Sequence, residues 1–167
     1  MTTMTTVKNR HRHWWIWLLV VAYVAFIFYN SMEPASVSSA ISTEVAEHTS
    51  SFLEHFGIAP YNFDTFHYFI RKLAHFLEFM GLGCIVSIAI NVCPLFKHRS
   101  LNFITFLLLI PFSDEMIQSL IPGRETLVTD MLIDCSGILI GGLIGYILIL
   151  ICKDLFHHVN KQETNNL

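Results

Sequence analysis

Long blocks of apolar residues, separated by short polar segments, make up most of this chain. The second block ends at Pro94 and the third at Pro122-Gly123, and such residues commonly stop a helix. A helix needs roughly 17–25 residues to cross a bilayer, and the blocks have about this length. The predicted crossing segments are residues 14–29, 66–92, 101–121 and 131–152. The pattern therefore predicts an all-α integral membrane protein, with four transmembrane helices in a domain at 14–152 and terminal tails at 1–13 and 153–167.

The basic residues that flank these blocks fall mainly on one side of the predicted membrane. If the chain crosses four times, the residues on the side of both termini are Lys8, Arg10, Arg12, Lys97, Arg99, Lys153 and Lys161. Only Arg71, Lys72 and Arg124 fall on the other side. Because Lys and Arg concentrate in cytoplasmic loops, we expect both termini to be cytoplasmic and the two odd-numbered loops to lie outside.

The first outer loop, residues 31–65, is long for a connection and has a helical pattern of its own. Pro34 precedes this pattern and Gly57 follows it, as is typical at the two ends of a helix. The apolar residues at near-helical spacing are Val37, Ile41, Val45, Phe52 and Phe56. The polar face lacks Lys and Arg, so attraction to anionic lipid is not indicated. We expect an interfacial amphipathic helix that either packs over the end of the bundle or acts as a lid on a substrate.

Composition supports a membrane protein and excludes several other classes. Hydrophobic residues make up 53% of the chain and charged residues 14%, an excess typical of membrane proteins. The four cysteines form no CxxC pair, so neither a zinc nor a redox motif is predicted. The chain has no glycine-rich nucleotide-binding motif, and no nucleic-acid partner is expected.

Charged residues inside the predicted spans point most directly to function. A charge in the hydrocarbon core costs several kcal/mol, so such residues commonly mark a functional site. One cluster comprises Arg71, Lys72, His75 and Glu78, and the other comprises Asp114, Glu115, Gln118, Arg124, Asp130 and Asp134.

Helical geometry places many of these side chains on shared faces. At about 100° per residue, Arg71, His75 and Glu78 lie within about 60° of one another, with Lys72 at the edge of that face. Asp114 and Gln118 share a face of the third span, from which Glu115 is displaced.

On the fourth span the acidic stripe continues into a ladder of glycines. Asp130 and Asp134 lie on the face that carries Gly137, Gly141 and Gly145. Because such GxxxG spacing allows close helix packing, we expect this face to meet a neighbouring helix. All three charged helices bring their polar groups to the outer end of the bundle, which predicts an outward-facing polar pocket.

Three kinds of chemistry fit these residue types. Arg71, Lys72 and Arg124 could bind a phosphate or carboxylate head group, positioned by Glu78, Gln118 and the acids of the second cluster. Alternatively, His75 could be a base or nucleophile in an enzyme, with Glu78 fixing its tautomer. Asp114, Glu115, Asp130 and Asp134 could hold a divalent cation such as Mg²⁺ or Ca²⁺, although no cofactor is evident. The remaining hypothesis involves no ligand chemistry: the charges would be interhelical ion pairs in a structural or partner-binding protein.

Three segments of the chain resemble the VanZ-like family of bacterial membrane proteins. The matching segments are RKLAHFLEFMGLG at 71–83, SDEMIQSLIPGRETLVTDMLIDCSGILIG at 113–141, and SMEPAS at 31–36. The resemblance implies a multi-pass protein of the bacterial cytoplasmic membrane, with membrane lipids or lipid-linked envelope precursors as partners. It also implies a link to susceptibility to the glycopeptide teicoplanin. Ile117 stands where the family often has His, and Glu33 where it often has Gln.

Overall fold

The computed structural model describes residues 13–58, 60–124 and 127–165, with side chains described up to Leu155. Throughout these ranges the regular secondary structure consists of α-helices without strands. The helices are α1 (Trp15–Ser31), α2 (Ala35–Glu54), α3 (Phe63–Val92), α4 (Arg99–Ser119) and α5 (Val128–Asn165). The predicted all-α class is therefore confirmed.

Three of these helices, α3, α4 and the Val128–Leu155 part of α5, are long and apolar enough to cross a membrane. α1 has 17 residues, about 25 Å of helix, and qualifies as a fourth span only together with α2, from which it is bent by 102°. Large apolar side chains remain exposed on these helices, such as Leu18, Leu108 and Leu143. Exposed apolar surface of this extent is typical of helices that contact lipid.

The helix boundaries lie within a few residues of those predicted, except at the C-terminal end. α5 continues to Asn165, so most of the predicted tail from residue 153 is helical. The physical reason is that neither Gly nor Pro follows Gly145, and nothing local stops the helix. The predicted N-terminal tail lies almost entirely outside the described residues.

The helix predicted in the first outer loop is present as α2. It begins directly after Pro34, and Gly57 follows its end with a φ of 76°. Glycine adopts this left-handed conformation at no steric cost, which favours termination there. Ser42 Oγ lies 2.8 Å from His67 Nε2, so a hydrogen bond ties α2 to the first turns of α3.

α3 and α5 pack against each other through the glycine ladder. A Cβ atom on Gly137 would lie 2.6 Å from the Phe76 carbonyl oxygen, and one on Gly145 would lie 2.6 Å from that of Cys84. Gly141 faces Met80 between them. Because the residue numbers rise together on both helices, α3 and α5 run parallel, as two helices that cross in the same direction must. The predicted helix–helix contact at the ladder is confirmed.

Pro111 interrupts the hydrogen bonding of α4 one turn before Asp114. Proline has no N–H, so the carbonyl of Leu107 loses its usual donor within the helix. Cys135 Sγ on α5 donates to this carbonyl at 3.3 Å. No role for Cys135 could be predicted from the sequence, because its acceptor is left unpaired by a proline on another helix.

This thiol contact predicts an ordered series of stabilities. Cys135→Ala should lower the free energy of unfolding by about 1 kcal/mol, because the partly buried carbonyl of Leu107 is left unpaired. Cys135→Ser, which keeps a donor, should remain near wild type, as should Cys152→Ala at an exposed position. Melting temperatures in detergent, followed by tryptophan fluorescence, provide the comparison. Equal stability of Cys135→Ala and wild type would contradict the assignment.

Candidate functional site

A cavity of about 260 Å³ lies at the predicted outer end of the bundle. It is enclosed by the C-terminal end of α1, by α2, by the outer half of α3 and by the loop before α5. The lining residues are Asn30, Ser31, Glu33, Ser38, Ile41, Ser42, Val45, Ile70, Arg71, Ala74, His75, Glu78 and Arg124. One part of the wall is therefore apolar and the other is charged.

α3 contributes the charged wall through one helical face. Arg71, His75 and Glu78 all line the cavity, as their helical phase predicts. Ile70 and Ala74 complete this wall on its apolar side.

The last turn of α1 supplies polar groups that sequence reasoning missed. Asn30 Nδ2 donates to Glu78 Oε1 at 2.8 Å, and its backbone oxygen accepts from Arg124 Nη2 at 3.3 Å. Ser31 Oγ donates to Asp114 Oδ1. Asn30 and Ser31 end the first apolar block, at the same end of the bundle as the charged clusters. This position was the signal in the sequence that they belong to the site. Their partners are far away in the chain and could not be inferred from spacing.

On α4 the predicted pairing of Asp114 and Gln118 is present. Gln118 Nε2 donates to Asp114 Oδ2 at 2.6 Å, and both side chains are buried. Glu115 is also buried, although it lies off their shared face. Three polar residues of this helix thus point into protein rather than lipid.

On α5 the two aspartates reach different partners on α3. Asp130 forms an ion pair with Lys72, whose ammonium also lies 5.0 Å from the centre of the Tyr68 ring. Asp134 lies deeper and is fully buried, with Oδ1 4.0 Å from His75 Nδ1. Lys72 and Asp130 line a smaller cavity beside the main one, and Arg71 lines both. Of the predicted ligand set, Arg71 and Arg124 line the main cavity, whereas Asp114, Glu115, Gln118 and Asp134 are buried and are absent from its lining.

Two guanidinium groups at the cavity have no ion-pair partner. Within the described parts of the chain, no carboxylate oxygen lies within 4.0 Å of Arg71 or Arg124. Nε and Nη1 of Arg124 are buried without a hydrogen bond. Burial, reinforced by the positive charge of Arg71, lowers the pKa of Arg124, which still remains cationic because arginine titrates far above neutral pH.

Comparison with known proteins gives a family for the chain. The model of the VanZ/LLP1 family matches residues 14–153. The chain belongs to this family. No significant match was found among curated proteins or among solved structures. The VanZ-like match covers every residue that lines the cavity, and the buried pairs between α3, α4 and α5 lie within it.

The two departures from the family pattern occupy different environments in this VanZ-like protein. Glu33 lines the cavity, where its carboxylate contributes negative charge near Arg124. Ile117 is half-buried on α4, next to the buried Gln118. Glu33 therefore changes the charge of the cavity, whereas Ile117 is absent from its lining.

Proposed function

We propose that the cavity binds the anionic head group of a membrane lipid or of a lipid-linked envelope precursor. The observation that carries this proposal is the presence of Arg71 and Arg124 at one cavity with no carboxylate of the described residues within 4.0 Å. Guanidinium groups bind phosphate and carboxylate through paired hydrogen bonds. An anion between them would satisfy the buried Nε and Nη1 of Arg124.

The other lining groups favour an amphiphilic ligand. Glu78 is already held by Asn30 and therefore shapes the polar wall more than it neutralises an arginine. Ile41 and Val45 of α2 provide an apolar wall opposite. With about 260 Å³, the cavity is at the small end of ligand sites, which suits a head group with its tail outside.

Native mass spectrometry of the purified protein with its co-purifying lipids tests this proposal. Wild type should carry a lipid adduct that Arg124→Ala and Arg71→Ala weaken by roughly 10- to 100-fold, the usual effect of losing a charge-assisted hydrogen bond. Arg99→Ala is the matched control, because Arg99 donates to Asn91 at the opposite end of the bundle. Adducts of equal strength in Arg124→Ala and wild type would refute head-group binding at this site.

A second candidate function is catalysis, favoured by the position of His75. This side chain lines the cavity while its Nδ1 faces the buried Asp134. A base supported by a carboxylate is a common catalytic arrangement. His75→Gln should then bind the lipid normally but turn nothing over. Full turnover by this variant would exclude His75 as the base.

We further propose the cytoplasmic membrane of a bacterium as the location, with both termini inside and the cavity facing out. Head-group capture there would alter access of teicoplanin to its lipid-linked target. Expression in a teicoplanin-susceptible host should raise the inhibitory concentration, and Arg124→Ala should abolish the increase. An increase that persists in Arg124→Ala would separate susceptibility from the cavity.

A further inference from the structure

We infer that His75, Asp114 and Asp134 form a binding site for one divalent transition-metal ion, with Zn²⁺ as the best fit. Each residue offers one ligand atom, and these atoms lie within 4.8 Å of one another. The three side chains come from α3, α4 and α5, so the site would join all three helices. The site lies behind the cavity wall, and His75 belongs to both the wall and the site.

The separation of the ligand atoms matches a bridging ion better than a direct contact. His75 Nδ1 and Asp134 Oδ1 are 4.0 Å apart, which is too far for a hydrogen bond. Zinc binds nitrogen and carboxylate oxygen at about 2.0–2.2 Å, so ligand atoms in a tetrahedral site lie about 3.4 Å apart. The three side chains would therefore move inward by about 1 Å when the ion binds.

Asp134 provides an independent indication of a ligand. Its side chain is fully buried, and both carboxylate oxygens lack a hydrogen-bond partner, as does His75 Nδ1. An unpaired buried carboxylate costs several kcal/mol, and evolution rarely retains one without compensation. Lys72 is engaged with Asp130 and does not compensate Asp134. A metal ion between these atoms would provide the missing positive charge.

Asp114 is held in a way typical of a metal ligand. Ser31 donates to one of its oxygens and Gln118 to the other. Each carboxylate oxygen can accept more than one bond, so a lone pair remains for a metal. Hydrogen bonds of this kind fix the direction of ligating carboxylates in metalloproteins.

The donor set selects the class of metal. An imidazole with two carboxylates suits Zn²⁺ and its first-row neighbours, whereas Mg²⁺ and Ca²⁺ prefer oxygen alone. Of the four acids that could hold a hard cation, only Asp114 and Asp134 belong to this set, and His75 joins them. Asp130 is paired with Lys72, and Glu115 is not part of the group. Three protein ligands leave a coordination position open for water. The inference does not depend on head-group binding.

Zinc titration of the chelator-treated, detergent-purified protein tests the site. Calorimetry and elemental analysis should give one Zn²⁺ per chain in wild type. Asp134→Asn and His75→Gln should each weaken binding at least 100-fold. Ser31→Ala and Gln118→Ala should weaken it by about 10-fold or more, the usual effect of losing an outer-shell hydrogen bond. Glu47→Gln is the control, because it removes an exposed carboxylate outside the set and away from the cavity lining, and it should bind zinc as wild type does.

Folding is checked by size-exclusion profile and helical circular dichroism for every variant. If Asp134→Asn does not fold, His75→Gln decides the outcome, supported by the absorption bands of Co²⁺ in place of zinc. Failure of folded wild type to bind zinc would overturn the inference. So would unchanged affinity in a folded ligand variant, or tighter binding of Mg²⁺ than of Zn²⁺.

Discussion

Gly141→Ala should lower the melting temperature of the protein by about 6–12 °C, corresponding to about 3 kcal/mol. The added methyl group would collide with the backbone of α3 at Met80, and backbone cannot rotate away as a side chain can. In a soluble helix the same change is favourable by about 1 kcal/mol, so a large loss can only come from packing. The measurement is thermal unfolding in detergent.

The neighbouring position supplies a control for this substitution. A methyl group on Gly142 meets the ring of Phe103, which can move aside. Gly142→Ala should therefore change stability by no more than about 1 kcal/mol. Equal melting temperatures of the two variants would contradict the conclusion that the glycine ladder allows α3 and α5 to pack closely.

Lys72→Met should be the most damaging single change among the charged positions. It leaves Asp130 without a cation at a site where both side chains are largely buried, with exposures of 14% and 12%. Breaking a buried ion pair on one side commonly costs about 3–5 kcal/mol. Lys97→Met, at an exposed position beyond the C-terminal end of α3, should cost no more than about 0.5 kcal/mol.

A double-mutant cycle separates the pair from other effects of the substitution. Asp130→Asn alone should also destabilise the protein, because it leaves Lys72 unpaired. The combination of Lys72→Met with Asp130→Asn should recover much of the loss, since it leaves no charge without a partner. Additive losses would show that the two residues act independently.

Helical periodicity was sufficient to predict the faces of individual helices. Arg71, His75 and Glu78 share the cavity because a single helix fixes their relative directions. The stripe of Asp130 and Asp134 faces α3, as the glycine spacing below it indicates. Each of these predictions uses only the spacing of residues within one helix.

Partners between helices could not be predicted in the same way. Asn30 and Glu78 are 48 residues apart, and Ser31 and Asp114 are 83 apart. Which side chains meet depends on the rotation and depth of each helix in the bundle. The relative depth of α3 and α5 also decides that Lys72 pairs with Asp130 and that His75 lies near Asp134. The residue types alone do not show which acid lies beside which base.

Because α5 is synthesised after α3, the two helices can pair only at a late stage of assembly. The helix that carries Asp130, Asp134 and the glycine ladder is the last of the described helices to leave the ribosome. Until it inserts, Lys72 has no counter-ion and α3 has no glycine surface to pack on. A nascent chain that stops before residue 128 therefore presents an uncompensated charge to the bilayer.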